Sequence, residues 1–241
     1  MGYCSRSQAA VLIRAGRVTL NGRAVRDPEG PVQIPQDRIE VDGSPLRKAP
    51  AIYLMMNKPR GVVTTASDEK GRSTVYDLLD DLLDRGSPWV GPVGRLDKAS
   101  EGLLLLTNDS EWAAKITAPS SHLDKKYHVQ IDRVADAELL ARITRGRLVG
   151  GDSCETGAGE DLRAKTASLL RHGDKNSWLE IVLDEGKNRQ IRCLLDALEI
   201  RVLRLVRVSV GPLELGNLKK GAVRRLTLEE KRELDDALQF R

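Results

Sequence analysis

Apolar and polar positions along this chain change period several times, and each change marks a boundary. Ser5 and Gln8 fit a capping box ahead of Ala9, Val11, Leu12 and Ile13, and Gly16 supplies a stop, so the opening residues predict a short helix. Two short β-rich runs follow, Arg17-Val-Thr-Leu20 and Arg23-Ala-Val25, around Asn21-Gly22. That dipeptide predicts a hairpin, because both turn residues must accept a positive φ. Pro28, Gly30, Pro31 and Pro35 punctuate a loop, and Lys48-Ala-Pro50 reads as a linker. Residues 1–48 are therefore expected to form a small module and residues 49–241 a larger body.

The body mixes both periods. Ile52–Met56 is a strand candidate ended by Asn57-Lys-Pro-Arg-Gly61. Thr74 to Asp77 can cap a helix carrying Leu78, Leu79, Leu82 and Leu83. Gly102–Thr107 is short, apolar and bounded by turns, which fits a buried strand. Asp109 can cap a helix with Trp112, Ala113 and Ile116 on one face. Tyr127–Ile131, Ala164–Leu170 and Trp178–Leu183 alternate as strands do. Ile191, Leu194, Leu195 and Leu198 recur at helical spacing. Val202–Leu213 reads as one long strand with Arg204 and Arg207 interleaved, and Thr227 to Glu230 caps a last helix. Strands dominate without regular βαβ alternation. The expected class is α+β, a mixed and mostly antiparallel sheet with flanking helices.

Composition narrows this further. The chain has 241 residues, 40% hydrophobic and 31% charged, enough to bury a core. Its longest apolar run, Ala51–Met56, is far short of the roughly 20 residues of a membrane span. The first residues lack the apolar stretch of a signal peptide, so a cytoplasmic protein with no membrane partner is expected. Three cysteines, Cys4, Cys154 and Cys193, without close spacing argue against a disulfide framework. The three histidines show no ligand spacing, so no metal site is expected. Net charge is only +4, but its distribution is uneven. Residues 1–26 hold five arginines and no acid, and residues 186–232 hold 12 Lys and Arg against 5 Asp and Glu. Two basic ends on a near-neutral body suit a polyanion, although a solvated basic face reads the same way.

The dinucleotide, P-loop and nucleophile-elbow glycine patterns are all absent, so the chemistry is expected to need no cofactor. The most pointed segment is Gly94-Arg-Leu-Asp97, which runs into the apolar Gly102–Thr107. An ionisable group beside a core is costly unless paired, which makes Asp97 a site candidate. From the residues alone it could equally cap a turn, with Arg95 neutralising it.

Gly94-Arg-Leu-Asp97 followed by Ser100-Glu-Gly-Leu-Leu-Leu-Leu-Thr-Asn108 resembles the catalytic motif of the ribosomal RNA pseudouridine synthases of the RsuA type. Met56-Asn-Lys-Pro-Arg-Gly-Val-Val-Thr64, Lys126-Tyr127-His-Val129 and Glu185-Gly-Lys-Asn-Arg-Gln-Ile-Arg192 resemble three further motifs, in the family's order. Residues 1–48 resemble the alpha-L type RNA-binding module, without its usual first helix. The resemblance implies isomerisation of a ribosomal uridine with Asp97 as nucleophile. It implies that Tyr127 stacks on the extruded base and helps remove the C5 proton, that Arg192 pairs with Asp97, and that Ile191 walls the base pocket. Arg95, Lys58, Lys126, Lys187 and Arg189 are the expected RNA contacts in the body, and Arg6, Arg14, Arg17 and Arg23 those in the module. The implied partner is 16S or 23S RNA; separately, the lack of an apolar heptad or an obvious sticky edge in the sequence predicts a monomer. Two rivals stand beside this: an inactive RNA-binding assembly protein, and a glycoside hydrolase using Asp97 and Glu101. The 3% aromatic content disfavours the second, which would want aromatic platforms for sugars.

Overall fold

A computed structural model describes all residues except 1, 35, 67, 80–86, 152–155 and 240–241, and omits the side chains of 150, 151, 156–158 and 160. The N-terminal segment folds as α1 (Arg6–Arg14), β1 (Val18–Leu20), β2 (Arg23–Val25), β3 (Ile39–Val41) and β4 (Ser44–Pro45). The capping box is present in both directions between Ser5 and Gln8. Asn21 and Gly22 take φ 51° and 81°, as the hairpin requires. A second turn of the same kind, Asp42-Gly43 at φ 50° and 77°, joins β3 to β4. The four strands run in the order β2-β1-β3-β4.

The body continues with β5 (Tyr53–Lys58), β6 (Gly91–Val93), β7 (Glu101–Thr107), α2 (Ser110–Thr117), β8 (Lys125–Ile131), α3 (Ala137–Arg145), β9 (Arg147–Gly151) and β10 (Thr156–Leu162). Then come β11 (Thr166–His172), β12 (Ser177–Leu183), α4 (Gln190–Ala197), β13 (Val202–Val210), β14 (Leu213–Glu214), β15 (Val223–Arg225) and α5 (Leu228–Gln239). The main sheet runs β11-β12-β8-β13-β7-β5-β15, with β6 on β7 and β14 on β13. Only β13 and β7 pair in parallel, so the sheet is mixed and mostly antiparallel. No helix among the described residues is long and apolar enough to cross a membrane.

Three details differ from the pattern reading. Val202–Leu213 is not one strand: Gly211, at φ 55°, turns the chain, and β14 folds back on β13. Thr74 and Asp77 do form a capping box, but on a 3-10 turn, Val75–Leu78; Leu82 and Leu83 lie outside the described residues. Cys193 is disulfide-bonded, so absence of a framework did not mean absence of a disulfide.

All seven residues of β7 are buried. Leu104 and Leu106 face one core with Leu54 and Met56, while Leu103 and Leu105 face another with Trp112, Ile116 and Leu234. Each buried leucine side chain contributes roughly 1.5–3 kcal/mol. A third core gathers Val129, Leu179, Ile181, Leu205, Ile143, Ile191 and Leu194 between β8, β12, β13, α3 and α4. The parallel β7–β13 junction joins these blocks and depends on Gly102. Its φ is +103°, and a Cβ there would lie 2.2 Å from the Arg207 carbonyl oxygen.

Candidate active site

A cleft of about 290 Å3 opens between the core under α2 and the core under α4. One wall is the loop from β6 to β7, with Gly94, Arg95, Leu96, Asp97 and Ser100. The opposite wall is Lys187, Asn188, Arg189, Gln190 and Ile191, at the start of α4. The floor is sheet: Lys125 and Tyr127 of β8, and Leu205 and Arg207 of β13.

The Asp97 loop is held from outside itself. Gly61 N–H donates to the Lys98 carbonyl (2.7 Å), and Thr64 Oγ1 donates to the Leu96 carbonyl (2.8 Å). Lys58 Nζ donates to the carbonyls of Asp97 (3.1 Å), Ser100 (2.9 Å) and Pro59 (3.2 Å). Arg192 Nη2 donates to the Ala99 carbonyl (3.2 Å). The segment Met56–Thr64 is thus a clamp on the loop. Within that frame Ser100 N–H closes a turn onto the Asp97 carbonyl (3.0 Å), leaving the side chain exposed at the cleft mouth. The carboxylate makes no hydrogen bond or ion pair among the described residues, and Arg95 does not neutralise it. A turn cap neutralised by Arg95 is therefore not what Asp97 is.

The cleft brings together Arg95, Asp97, Tyr127, Lys187, Arg189 and Ile191 as expected. Three expectations are corrected. Lys58 has no exposed surface and cannot reach a phosphate; burial pushes its amine down to about 8, although Asp97 and Glu101 act against that. Lys126 lies on the other face of β8, where strand alternation sends it towards Glu180 (3.8 Å). Arg192 forms no ion pair with Asp97; it contacts the loop backbone, and the carboxylate reaches it only through space. Burial lowers the Arg192 pKa, Asp97 opposes this, and Arg189 and Arg60 add to it. The buried Nε of Arg192 has no hydrogen-bond partner among the described residues.

The pattern reading missed Lys125 and Arg207. Lys125 shares a strand face with Tyr127, being two residues away, so the alternation contained the signal. Arg207 is two residues from Leu205, which also lines the cleft, and pairs across from Tyr127, so alternation along β13 carries its direction once the β8–β13 pairing is known. In the module Arg6, Arg14 and Arg23 are exposed, whereas Arg17 is held by Asp42 (2.5 and 2.9 Å). No cluster of three or more metal-ligating side chains occurs among the described residues.

Residues 52–197 match the family described as RNA pseudouridylate synthase, and residues 1–39 match the S4 domain. The ribosomal large subunit pseudouridine synthase B of Bacillus subtilis is 35% identical over 233 residues, covering 97% of this chain and 91% of that protein. An uncharacterized RNA pseudouridine synthase of Aquifex aeolicus is 36% identical over 240 residues, covering 98% and 91%. A solved pseudouridylate synthase aligns with a TM-score of 0.64 at 32% identity, covering 95% of this chain and 94% of that one. With the family's match spanning most of the chain and the same residues building the cleft, this chain belongs to the RNA pseudouridine synthases, enzymes of the isomerase class, and carries an S4 domain ahead of its catalytic body.

Proposed function

We propose that this chain converts a uridine of ribosomal RNA to pseudouridine, with Asp97 as nucleophile on a nucleotide turned out of its stack. The observation that carries this reading is Asp97 itself. It is a carboxylate unpaired among the described residues, on a clamped loop, at the mouth of a cleft whose other charged lining residues are all cations. The Bacillus relative, named for the large ribosomal subunit, supports ribosomal RNA as the substrate class.

The roles follow from position. Tyr127, half-buried on the floor, offers a ring for the extruded base and a phenol near its C5 proton. Ile191 walls the base pocket. Arg192 fixes the Ala99 carbonyl and so holds the loop that carries Asp97. Arg95, Lys187 and Arg189 stand at the rim, where phosphates pass. Residues 1–48 act as the RNA-binding module and residues 49–241 as the catalytic domain, with Arg6, Arg14 and Arg23 on phosphates. The rearrangement is redox-neutral and requires no cofactor.

The test is genetic. Deleting the gene and mapping pseudouridines across 16S and 23S RNA by carbodiimide labelling and blocked reverse transcription should reveal a lost site. The wild-type gene should restore it, and Asp97→Asn should not. An unchanged map would overturn ribosomal RNA as the substrate.

A further inference from the structure

The cleft floor carries two cations that the roles above leave unused. Arg207 is 7% exposed and lies across from Tyr127 in the β8–β13 pairing. Its Nε donates to the Leu103 carbonyl (2.7 Å), which fixes the plane of the guanidinium. Its two terminal nitrogens have no partner among the described residues, and neither has the Lys125 ammonium. Burial lowers the Lys125 pKa and the charge of Arg207 lowers it further; Asp124 and Asp184 oppose them. Arg207 is thus buried and Lys125 half-buried beside it, and no carboxylate among the described residues forms an ion pair with either. Buried charges are ordinarily paired, so this arrangement asks for an anion from outside.

Depth decides which anion. Arg95 and Arg189 are exposed at the rim and suit the RNA backbone. Lys125 and Arg207 are less exposed and line the cleft with Tyr127 and Ile191; a flat base can reach such a floor edge-on, whereas a chain-borne phosphate is better met by the exposed rim.

Resting on the proposed isomerisation, we infer that Lys125 and Arg207 form an anion site for the uracil ring, donating hydrogen bonds to its carbonyl oxygens O2 and O4 as the base leaves the ribose. When the N1–C1′ bond breaks, its electron pair stays with the ring and spreads over O2 and O4. The two cations hold that charge while the ring turns. Asp97 holds C1′ in the interval; the pair then closes the C5–C1′ bond as the carboxylate leaves, the C5 proton departs and N1 takes up a proton, so the nucleoside keeps its composition and Asp97 is regenerated. Donors already aimed at developing charge in a site closed to water are worth far more than the same donors in water.

The test uses the full chain and a ribosomal RNA transcript, measuring single-turnover rate at saturating protein together with affinity and its salt dependence. Arg207→Met and Lys125→Met should each lower the rate by about 100-fold or more, the range for loss of one such donor. Affinity and salt slope should stay near wild type. On a transcript with 5-fluorouridine at the target, whose ring anion is intrinsically more stable, the deficit in breaking the original glycosidic bond should shrink. If either variant instead kept its saturated rate while its salt slope fell by roughly 0.7–0.9, that residue would be a phosphate contact and the inference would be overturned. Should Arg207→Met not fold, Lys125→Met carries the same test, because it has no hydrogen bond to lose. Failure of the wild-type chain to convert any uridine would overturn the isomerisation and this inference with it. Conversion by wild type and variants alike would overturn this inference alone.

Discussion

On the cleft side of the sheet Asp97, Lys125 and Arg207 stand without ion-pair partners among the described residues. On the face behind it Glu101, Lys126 and Arg204 are all paired. Glu101, 2% exposed, accepts from Arg204 (3.0 and 3.1 Å) and meets Lys220 (2.5 Å), and Glu180 faces Lys126 and His128. Burial alone would raise the Glu101 carboxyl, but its two cations outweigh that and hold it below its usual range. Arg204 and Arg171 also lie over the Trp178 ring, 5.5 and 5.3 Å from its centroid. The same residue types, one to four positions apart in sequence, thus end on opposite faces with opposite electrostatics. Charges that knit strands together are neutralised by the protein. Charges left open mark where something else is to bind.

Substitutions at the junction, the loop, the clamp and the module probe this contrast. Gly102→Ala attacks the junction that keeps the faces apart. Backbone strain alone costs about 1–3 kcal/mol, and the clash with the Arg207 carbonyl adds to it. Thermal unfolding should show a destabilised or unfolded chain, and a near-wild-type Tm would remove Gly102 from the account. Arg192→Met should lower the single-turnover rate by about 100-fold, a typical loss when one positioning or charge-stabilising group goes. A single-turnover rate near wild type would mean that the bond to the Ala99 carbonyl is not needed to hold the Asp97 loop.

Lys58→Met tests the clamp, and the sign of its pH dependence is fixed. The folded-state value of about 8 lies below the roughly 10.4 of an unfolded lysine. Between those values the unfolded chain holds the proton more tightly, so the stability that this group controls rises with pH across the window. Chemical denaturation should therefore show the wild type gaining on Lys58→Met between pH 8 and pH 10. A constant gap would mean that the buried amine does not titrate there. The smallest effect belongs to the module. Alanine at Arg6, Arg14 or Arg23 should each flatten the plot of log K against log salt by roughly 0.7–0.9, with the saturated rate unchanged. Arg17→Ala should change the slope less, since Asp42 already holds that guanidinium.

Much of this site was legible in the residues. Asp97 stood out because a charge preceded an apolar run, and Tyr127, Ile191 and Arg189 fell in segments whose motifs keep their order. Local signals also found the hairpin at Asn21-Gly22, the buried β7 and the caps at Ser5, Asp109 and Thr227. What stayed hidden depended on the third dimension. Strand parity places Lys126 behind the sheet and Lys125 in the cleft. Full burial turned Lys58 from an RNA contact into a clamp on the loop backbone. The pairing of β13 with β8, which sets Arg207 opposite Tyr127, joins Arg207 to the cleft. Residues 132–163, where α3, β9 and β10 form, offered no pattern that the reading used, although Asp136 caps α3 through Leu139 N–H.

The most direct measurement sets one acid from each face side by side, Asp97→Asn against Glu101→Gln, in single-turnover pseudouridine formation on ribosomal RNA. The account predicts no detectable conversion by Asp97→Asn, with RNA affinity within a few-fold of wild type. Glu101→Gln should lose about 1–3 kcal/mol of stability, as expected when a buried charged hydrogen-bond network is broken, yet turn over near the wild-type rate once folded. Conversion by Asp97→Asn at the wild-type rate would contradict the central claim that the unpaired carboxylate of the cleft face does the chemistry.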